Sequence, residues 1–373
     1  MNAERRARRG ALAVVIVATL LVRLWAIEHF PEPDTDAAGH LGIARALLAH
    51  PMSIAVHWVY LPAYHYVLAI LEGVGLGATG IRVVNCVLAA ALPALVLRYA
   101  RDTGSGERLG VMAALLCAIA PLVNLLGTSG QQETLFTILV LGTAWAIDTD
   151  HPRRAGALLA FAVLVRYEAW GALALLVAVQ IAQRVPRVAQ RVPGPRVPWV
   201  VTWPAMCAVG AWFLAHRLSD GQWLGFLHEL YRYAHRQRHT FDRGPLWFAY
   251  RQPLSVFGWV VIGLFLVGFR RSLRVGWVVP IGIYVFLEGA YSFRGALGSA
   301  RYYESLTPFV ALAAAHGIRV LGARRRWLAR LAFVVAFSRL LVLSSRFCGW
   351  STPLRRTPAA GAQAVATSRR PKA

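Results

Sequence analysis

The sequence predicts an all-α, polytopic membrane protein with about nine to eleven transmembrane helices and interfacial helices in the first outer loop. Of its 373 residues, 57% are hydrophobic and 15% are charged, which is unlike a soluble domain. The mean hydropathy is +0.50. Apolar blocks of about 16–20 residues suffice to cross a hydrocarbon core of about 30 Å. Arginine clusters lie between these blocks, as expected for cytoplasmic loops.

The first predicted span covers about residues 11–27, and the preceding ERRARR segment holds its start in the cytoplasm. Residues 28–80 then form an outer loop with surface helices. No cleavage site of small residues follows the apolar stretch, so we expect an uncleaved membrane helix rather than a signal peptide.

The next apolar block, residues 60–80, has two interpretations. If it spans the membrane, the segment RYARDTGSGER and later arginine clusters fall outside. If it lies at the outer surface, every later loop satisfies the positive-inside rule, and we adopt this alternative. Segments 82–100 and 109–127 then cross inward and outward, TSGQQE is outside, and DTDHPRR is inside.

The apolar segment 155–183 is too long for one straight crossing and carries Arg166 and Glu168 near its centre. We therefore expect a helical hairpin or a broken helix pair there. A Pro- and Arg-rich cytoplasmic linker follows at 184–198, and a second outer loop with an interfacial helix at 217–252.

The remaining predicted spans cover about 199–216, 254–269, 277–291, 307–321 and 327–344. Residues 1–350 thus form a single integral membrane domain, and 351–373 a loose tail. No internal repeat is visible, which argues against transporter folds built from duplicated halves.

The composition also excludes several classes. The net charge of +23 comes with no stacking platform, so we expect no nucleic-acid partner. The four widely spaced cysteines form neither a disulfide framework nor a metal-binding pattern. The Ala-, Arg- and Val-rich composition favours a bacterial inner or cell membrane.

An acidic stretch opens the first outer loop, with Asp34 and Asp36 at the start of a predicted helix. One aspartate is explained by helix capping, but two are not needed for it. Asp36 and His40 lie one turn apart on one face. The opposite face carries an apolar stripe, so we expect the helix to lie flat on the membrane, with this pair turned away from lipid. The stripe consists of Ala37, Leu41, Ala44 and Leu48.

The following segment VHWVYLPAYHY contributes His57, Tyr64 and His65. Its aromatic residues are typical of an interfacial belt. Its histidines titrate near neutral pH and indicate a functional site nearby.

These motifs together resemble the GT-C superfamily of membrane glycosyltransferases, which includes protein O-mannosyltransferases, the lipid A aminoarabinose transferase and dolichol-pathway mannosyltransferases. The resemblance rests on the acidic surface helix, YLPAYH running into a Gly-closed helix, IRVVN, and RYYESLTP near the end. It covers roughly 11–182 and this last motif. It implies an active site on the periplasmic or luminal side and a polyprenyl-phosphate sugar donor.

The resemblance also implies site residues. The first-loop carboxylate, the implied catalytic base, matches Asp34 or Asp36, where Asp-Thr-Asp replaces the family's adjacent acids and leaves the choice open. Arg82 matches an arginine that the family places after the surface helix. Glu133 lies where the family keeps a polar residue facing the sugar.

Physical chemistry adds further candidates. Ionisable groups such as Arg166 and Glu168 inside an apolar block are costly and usually functional; an unbroken helix would disfavour their direct pairing. Arg301 and Tyr302 lie at another predicted outer edge, and Arg294 is near them. We predict that Arg82, Arg166 and Arg301 hold the donor phosphate and that His40 and His57 lie near the sugar. The predicted substrate-binding residues are His40, His57, Tyr64, His65, Arg82, Glu133, Arg166, Glu168, Arg301 and Tyr302.

His235 and His239 have a spacing that can bind metal, but no third ligand is evident, so we predict no metal ligand set. We predict no required cofactor, and the sequence leaves open whether the reaction needs a divalent cation.

The sequence thus favours an inverting transferase that moves a sugar from a polyprenyl-phosphate donor to a glycan, lipid or protein acceptor on the outer face. The alternative is a flippase or transporter of lipid-linked saccharides, which would need polar groups through the whole membrane depth. A scaffold or receptor explains neither the acids nor Arg166.

Overall fold

The computed structural model describes residues 2–30, 35–185, 196–241, 251–292 and 299–349. These ranges are almost entirely helical and contain no strand. The α-helices, numbered in chain order, are α1 Asn2–His29, α2 Thr35–Ala49, α3 Pro62–Gly73, α4 Gly77–Asp102, α5 Glu107–Ala118, α6 Pro121–Leu126, α7 Glu133–Asp148, α8 Pro152–Val165, α9 Glu168–Ala182, α10 Trp203–Asp220, α11 Gly225–Phe241, α12 Gln252–Phe257, α13 Trp259–Ser272, α14 Val278–Ser292, α15 Thr307–Arg324 and α16 Arg326–Gly349.

Four described segments are long and apolar enough to cross a membrane: Arg9–His29, Gly77–Asp102, Val275–Ser292 and Ala300–Ala323. The chain is therefore an integral membrane protein. The other bundle helices are mostly shorter, and the count of nine to eleven crossings stays a prediction.

Helix α3 has 12 residues, about 18 Å of helix, which is too short to cross the hydrocarbon core. This length agrees with the interpretation that residues 60–80 do not span, which stays a prediction; residues 77–80 belong to α4. Pro62 is the first residue of the helix. A backbone N–H at this position has no partner within the helix, so its absence in proline costs no hydrogen bond.

Several predicted spans are broken. Segment 109–127 is divided into α5 and α6 before Pro121, which cannot continue the α5 hydrogen-bond ladder. The expected break in 155–183 is confirmed, because Arg166 is extended (φ −146°, ψ 143°) between α8 and α9. Gly258, with φ 77°, similarly separates α12 from α13.

The predicted separation of the two faces of α2 is wrong. Ala37 and Ala44, which the sequence assigns to the lipid-facing stripe opposite His40, are buried in the protein together with His40 and Leu47. Leu48 of the predicted stripe is instead 51% exposed. Helix α2 lies along α3, and Arg45 joins them through an ion pair with Glu72 at 2.7 Å. Packing on α3 rotates the buried stripe relative to the one that the sequence predicts.

A single large apolar core joins the central helices, and small residues bring them close. Helix α9 packs on α14 where Gly171 meets Gly282, and α13 packs on α15 where Gly268 meets Gly317. A Cβ at any of these glycines would overlap backbone atoms of the facing helix. These crossings fix the helix ends that surround a cavity.

Candidate active site

A cavity of about 140 Å³ lies where the start of α2, the α8–α9 break, α11, the end of α14 and the 3₁₀ helix Ala300–Leu306 meet. Its lining is apolar in part, with side chains of α11 and α14. Its polar lining consists of Asp36, Tyr60, Gln132, Arg166, Tyr167, Glu168, Tyr233, Arg301 and Tyr302. Residues more than 260 positions apart in the chain thus share one cavity.

Asp36 lies in the first turn of α2 and accepts a hydrogen bond from Arg301 Nη2 at its Oδ2, 2.6 Å away. Both side chains keep partial exposure, 25% for Asp36 and 20% for Arg301. The predicted base and a predicted phosphate ligand therefore occur as an ion pair at the cavity wall.

Glu133 joins the two arginines of the site. Its Oε1 lies 2.5 Å from Arg166 Nη1 and 3.4 Å from Arg301 Nε. The carboxylate is fully buried at the start of α7. Because buried charges are costly unless paired, this contact accounts for the position of both guanidinium groups.

Arg166 also binds Glu168, with Nη2 2.7 Å from Oε1. Neighbouring side chains two positions apart diverge on an unbroken helix, but the extended backbone at Arg166 lets them meet. The expectation against a direct pair fails for this reason. The ring of Tyr302 covers this guanidinium, with the Arg166 carbon 5.2 Å from the ring centre.

The loop before Glu133 is fixed by predicted site residues that do not line the described cavity. Tyr64 donates from its hydroxyl to Gly130 O at 2.6 Å. Arg82 Nε donates to Thr128 O at 2.8 Å, and its Nη1 donates to Phe30 O at 3.1 Å. Their motifs therefore position the loop and the end of α1, which the sequence alone did not reveal.

The loop receives a further clamp from Asn85 of the IRVVN motif. Its Nδ2 donates to the carbonyl oxygens of Ser129 and Gln131, both at 2.7 Å. Such side-chain bonds to consecutive carbonyls satisfy buried backbone groups that no helix pairs.

The three predicted histidines form one hydrogen-bonded row. His65 Nε2 lies 2.9 Å from His40 Nδ1, and His65 Nδ1 lies 2.9 Å from His57 Nδ1. All three are fully buried. Burial lowers the pKa of His40 and of His57 to about 4, and it also lowers the pKa of His65 well below its ordinary value. The row is therefore neutral at pH 7.

His40 connects the row to the cavity, since its ring lies 4.5 Å from that of Tyr60, which lines the cavity. The histidines themselves are not part of the described lining. Their predicted contact with the sugar stays a prediction.

Asp34, Arg294 and His239 lie outside the residues whose side chains the structure describes. His235 is exposed and stacks on Tyr231. No group of three metal-ligating side chains occurs in the described ranges.

Sequence reasoning missed Tyr167 and Tyr233 of the cavity lining. Tyr167 lies inside the helix break, and Tyr233 is in the aromatic segment ELYRYAH. Only the aromatic content of these polar segments could have indicated them.

Comparisons with known proteins give structural but not sequence relatives. No protein-family model and no curated protein matches the chain. ArnT from Cupriavidus metallidurans, solved bound to undecaprenyl phosphate, matches with a TM-score of 0.62 and 14% identity over 87% of this chain and 63% of its own.

The oligosaccharyltransferase of Archaeoglobus fulgidus in the apo form matches with a TM-score of 0.51 at 12% identity. The AglB oligosaccharyltransferase of the same organism, in complex with an inhibitory peptide and a dolichol-phosphate, gives 0.52 at 12% identity. Each covers 90% of this chain and 56% of its own. The chain therefore spans less than two thirds of each of these structures and shares their fold.

Proposed function

We propose that this chain, whose fold is that of the GT-C proteins, is a membrane glycosyltransferase that moves a sugar from a polyprenyl-phosphate donor to an acceptor on the outer side of the membrane. The observation that carries the proposal is the cavity, in which Asp36 of the first outer loop faces Arg301 and Arg166. Structures of the same fold bind undecaprenyl phosphate or dolichol-phosphate, which supports a lipid-phosphate donor.

Sugar transfer needs a base for the acceptor hydroxyl and positive groups for the departing phosphate, and the carboxylate and guanidinium groups of the cavity can supply both. An acceptor hydroxyl is a weak nucleophile, and a carboxylate within hydrogen-bond reach can take its proton during attack on the anomeric carbon. Asp36 is the proposed base. The departing lipid phosphate gains negative charge, which guanidinium donors stabilise. One displacement of this kind inverts the anomeric centre.

The ion pairs suggest how the two roles are coupled. Arg301 contacts both Asp36 and Glu133, and Arg166 contacts Glu133 and Glu168. A donor phosphate that binds Arg301 competes with Asp36 for its Nη2. We infer that donor binding releases the Asp36 carboxylate, so that the base becomes available only when the donor is present.

Aromatic side chains suit a sugar-sized ligand. Tyr60, Tyr167, Tyr233 and Tyr302 line the cavity and offer ring faces together with hydroxyl groups. The acceptor is a glycan, lipid or protein, and the outer side is the periplasmic face of a bacterial membrane in this proposal.

The test compares Asp36→Asn with the wild type in proteoliposomes supplied with radiolabelled polyprenyl-phosphate monosaccharides and envelope acceptors. We expect a loss of about 100-fold or more in transfer, the scale of general-base catalysis. The matched control is Asp102→Asn, which removes the carboxylate of an exposed i,i+4 pair with Arg98 and should leave transfer unchanged.

Full activity of Asp36→Asn would contradict the assigned base. Movement of labelled donor across the liposome membrane without any covalent product would instead favour the flippase.

A further inference from the structure

Helix α10 carries a second hydrogen-bonded unit near the histidine row. His216 Nδ1 lies 2.5 Å from Asp220 Oδ2, and the Asp220 side chain is 34% exposed. The ring of Trp212, one turn earlier on α10, lies 5.6 Å from His57 and 4.6 Å from His216. Trp212 thus stands between the inner histidine row and a carboxylate that reaches solvent.

Three ring nitrogens at this junction lack a hydrogen-bond partner among the described residues: His57 Nε2, Trp212 Nε1 and His216 Nε2. The side chains are buried, with 0%, 4% and 3% exposure. Unpaired buried polar atoms are rare in proteins, because each loses the hydrogen bonds that water would give it. The Trp212 ring contacts both histidine rings, and this clustering indicates a shared partner.

We propose that these three nitrogens hold one internal water molecule, which joins the histidine row to His216 and Asp220 in a single proton path. A water with two to four polar partners is the usual occupant of such a buried site.

Hydrogen-bond accounting supports this occupant. Trp212 Nε1 can only donate, and His216 Nε2 accepts when Nδ1–H donates to Asp220. The water accepts from Trp212 and donates to His216 and to His57. His57 then donates from Nδ1 to His65, and His65 donates from Nε2 to His40. One water therefore satisfies all three nitrogens.

The opposite arrangement of protons on the histidine nitrogens satisfies the same hydrogen bonds. Conversion of one arrangement into the other moves one proton along the row. A proton enters at His40 Nε2, and the His40 Nδ1 proton passes to His65 Nε2. The His65 Nδ1 proton passes to His57 Nδ1, and the His57 Nε2 proton passes to the water. The water gives a proton to His216 Nε2, and the His216 Nδ1 proton passes to Asp220. One proton enters at His40, and one leaves when the partly exposed Asp220 releases the proton that it received. His216 then carries its proton at Nε2, and no electron moves.

The charged side chains that act on the path lie at its inner end, near His40. Asp36 on the same helix and Glu133, Arg166 and Arg301 across the cavity act on His40. His57 and His65 face only further histidines among the described titratable groups that act on them. This role rests on the proposed function, because the proton is the one that the base takes from the acceptor.

The water itself is tested without any activity. A structure of the full chain at about 2 Å should show one ordered water within about 2.7–3.2 Å of the three nitrogens. A map with ordered interior waters elsewhere but none at this junction would overturn the site.

The path is tested by two substitutions of His216. His216→Phe keeps a ring against Phe226, and His216→Gln keeps a hydrogen-bonding group but cannot pass a proton by tautomer exchange. We expect kcat to fall about tenfold in both variants with KM for the donor unchanged. Phe213→Leu alters the same aromatic cluster without a polar atom and should stay within twofold of wild type.

Wild-type kcat in His216→Gln would overturn the path, and it would do so even if His216→Phe failed to fold. Absence of transfer by the wild type from every donor would contradict the proposed function instead, whereas the water would still be visible.

Discussion

The ion network around Arg166 illustrates how single residues build the site. The guanidinium is buried and contacts Glu133 and Glu168, and its ring neighbour Tyr302 also contacts Arg301. Removing water from such charges costs several kcal/mol each, so they persist only with good partners. The network therefore fixes the cavity wall at an energetic cost, which agrees with a functional role.

Glu133→Gln tests this network. The change leaves Arg166 and Arg301 with one carboxylate fewer in a buried setting, and we expect a loss of about 3 kcal/mol in the free energy of unfolding. Thermal unfolding in detergent measures the effect. Glu107→Gln, which breaks an ion pair with the exposed Arg9, should cost clearly less, because solvent screens that pair. Equal losses in both variants would refute the assigned importance of Glu133.

The histidine row predicts acid sensitivity. His40 and His57 have folded pKa values of about 4 against an ordinary value of 6.5, so the unfolded chain binds more protons between these limits. The stabilisation is complete above about pH 6.5 and is lost as the pH falls towards 4. Unfolding temperatures at pH 7.5 and pH 5 measure this loss.

His57→Gln should weaken that dependence on pH, because it removes one of the three histidines whose pKa burial lowers. His50→Gln removes an exposed histidine and should leave the dependence as in the wild type. An identical pH response of the wild type and His57→Gln would show that the row does not titrate as described.

At the scale of elements, interrupted helices deliver the polar side chains. Arg166 reaches two carboxylates only because α8 and α9 are separated at this point. Non-helical backbone at membrane depth is tolerated where it is buried in protein or lines a water-filled cavity. The break therefore brings together side chains that an unbroken crossing would keep apart.

Gly171→Ala tests the helix contact behind the cavity. A Cβ at this site would overlap Gly282 O and the Phe286 Cβ, so α9 and α14 must move apart. We expect lower thermal stability and a loss of at least tenfold in transfer, since Phe286 and Glu168 line the cavity. Gly289→Ala on α14 meets no atom within 4 Å and should be neutral. Wild-type behaviour of Gly171→Ala would contradict the close contact.

At the scale of the whole molecule, helix ends from distant parts of the chain converge on the cavity. The starts of α2 and α9, helix α11 and the 3₁₀ helix before α15 contribute polar groups there, and the end of α14 contributes apolar ones. The net charge of +23 comes from 40 Lys and Arg residues against 17 Asp and Glu residues. In the orientation that we propose from the positive-inside rule, the cavity end lies on the outer side.

Cysteine labelling tests that orientation. In a background without Cys207 and Cys348, Met52→Cys introduces a thiol at a residue that is 86% exposed and follows α2. An impermeant maleimide should label it in intact cells, because we place residues 28–80 outside. Asp150→Cys, in the loop between α7 and α8, should react only after permeabilisation. The opposite pattern would invert the topology and remove the proposed outer active site.

Part of the site could be predicted from the sequence. Arg166 and Glu168 stand out because ionisable residues in an apolar block are costly, and the acidic start of α2 exceeds the need of a helix cap. Trp212 and His216 could not be identified, because an aromatic residue and a histidine near the end of a span are typical of a membrane interface. Their partner His57 lies more than 150 positions away.

The sequence by itself determined the membrane class, most helices and the interruption at Arg166, because hydropathy and local backbone preferences act over a few turns. Only the tertiary structure decided that Asp36, Glu133, Arg166 and Arg301 share one site and that Arg82 clamps backbone carbonyls. Those partners follow from how the helices cross and rotate against each other. Helix crossing depends on the shape of whole surfaces, which no single stretch of sequence encodes.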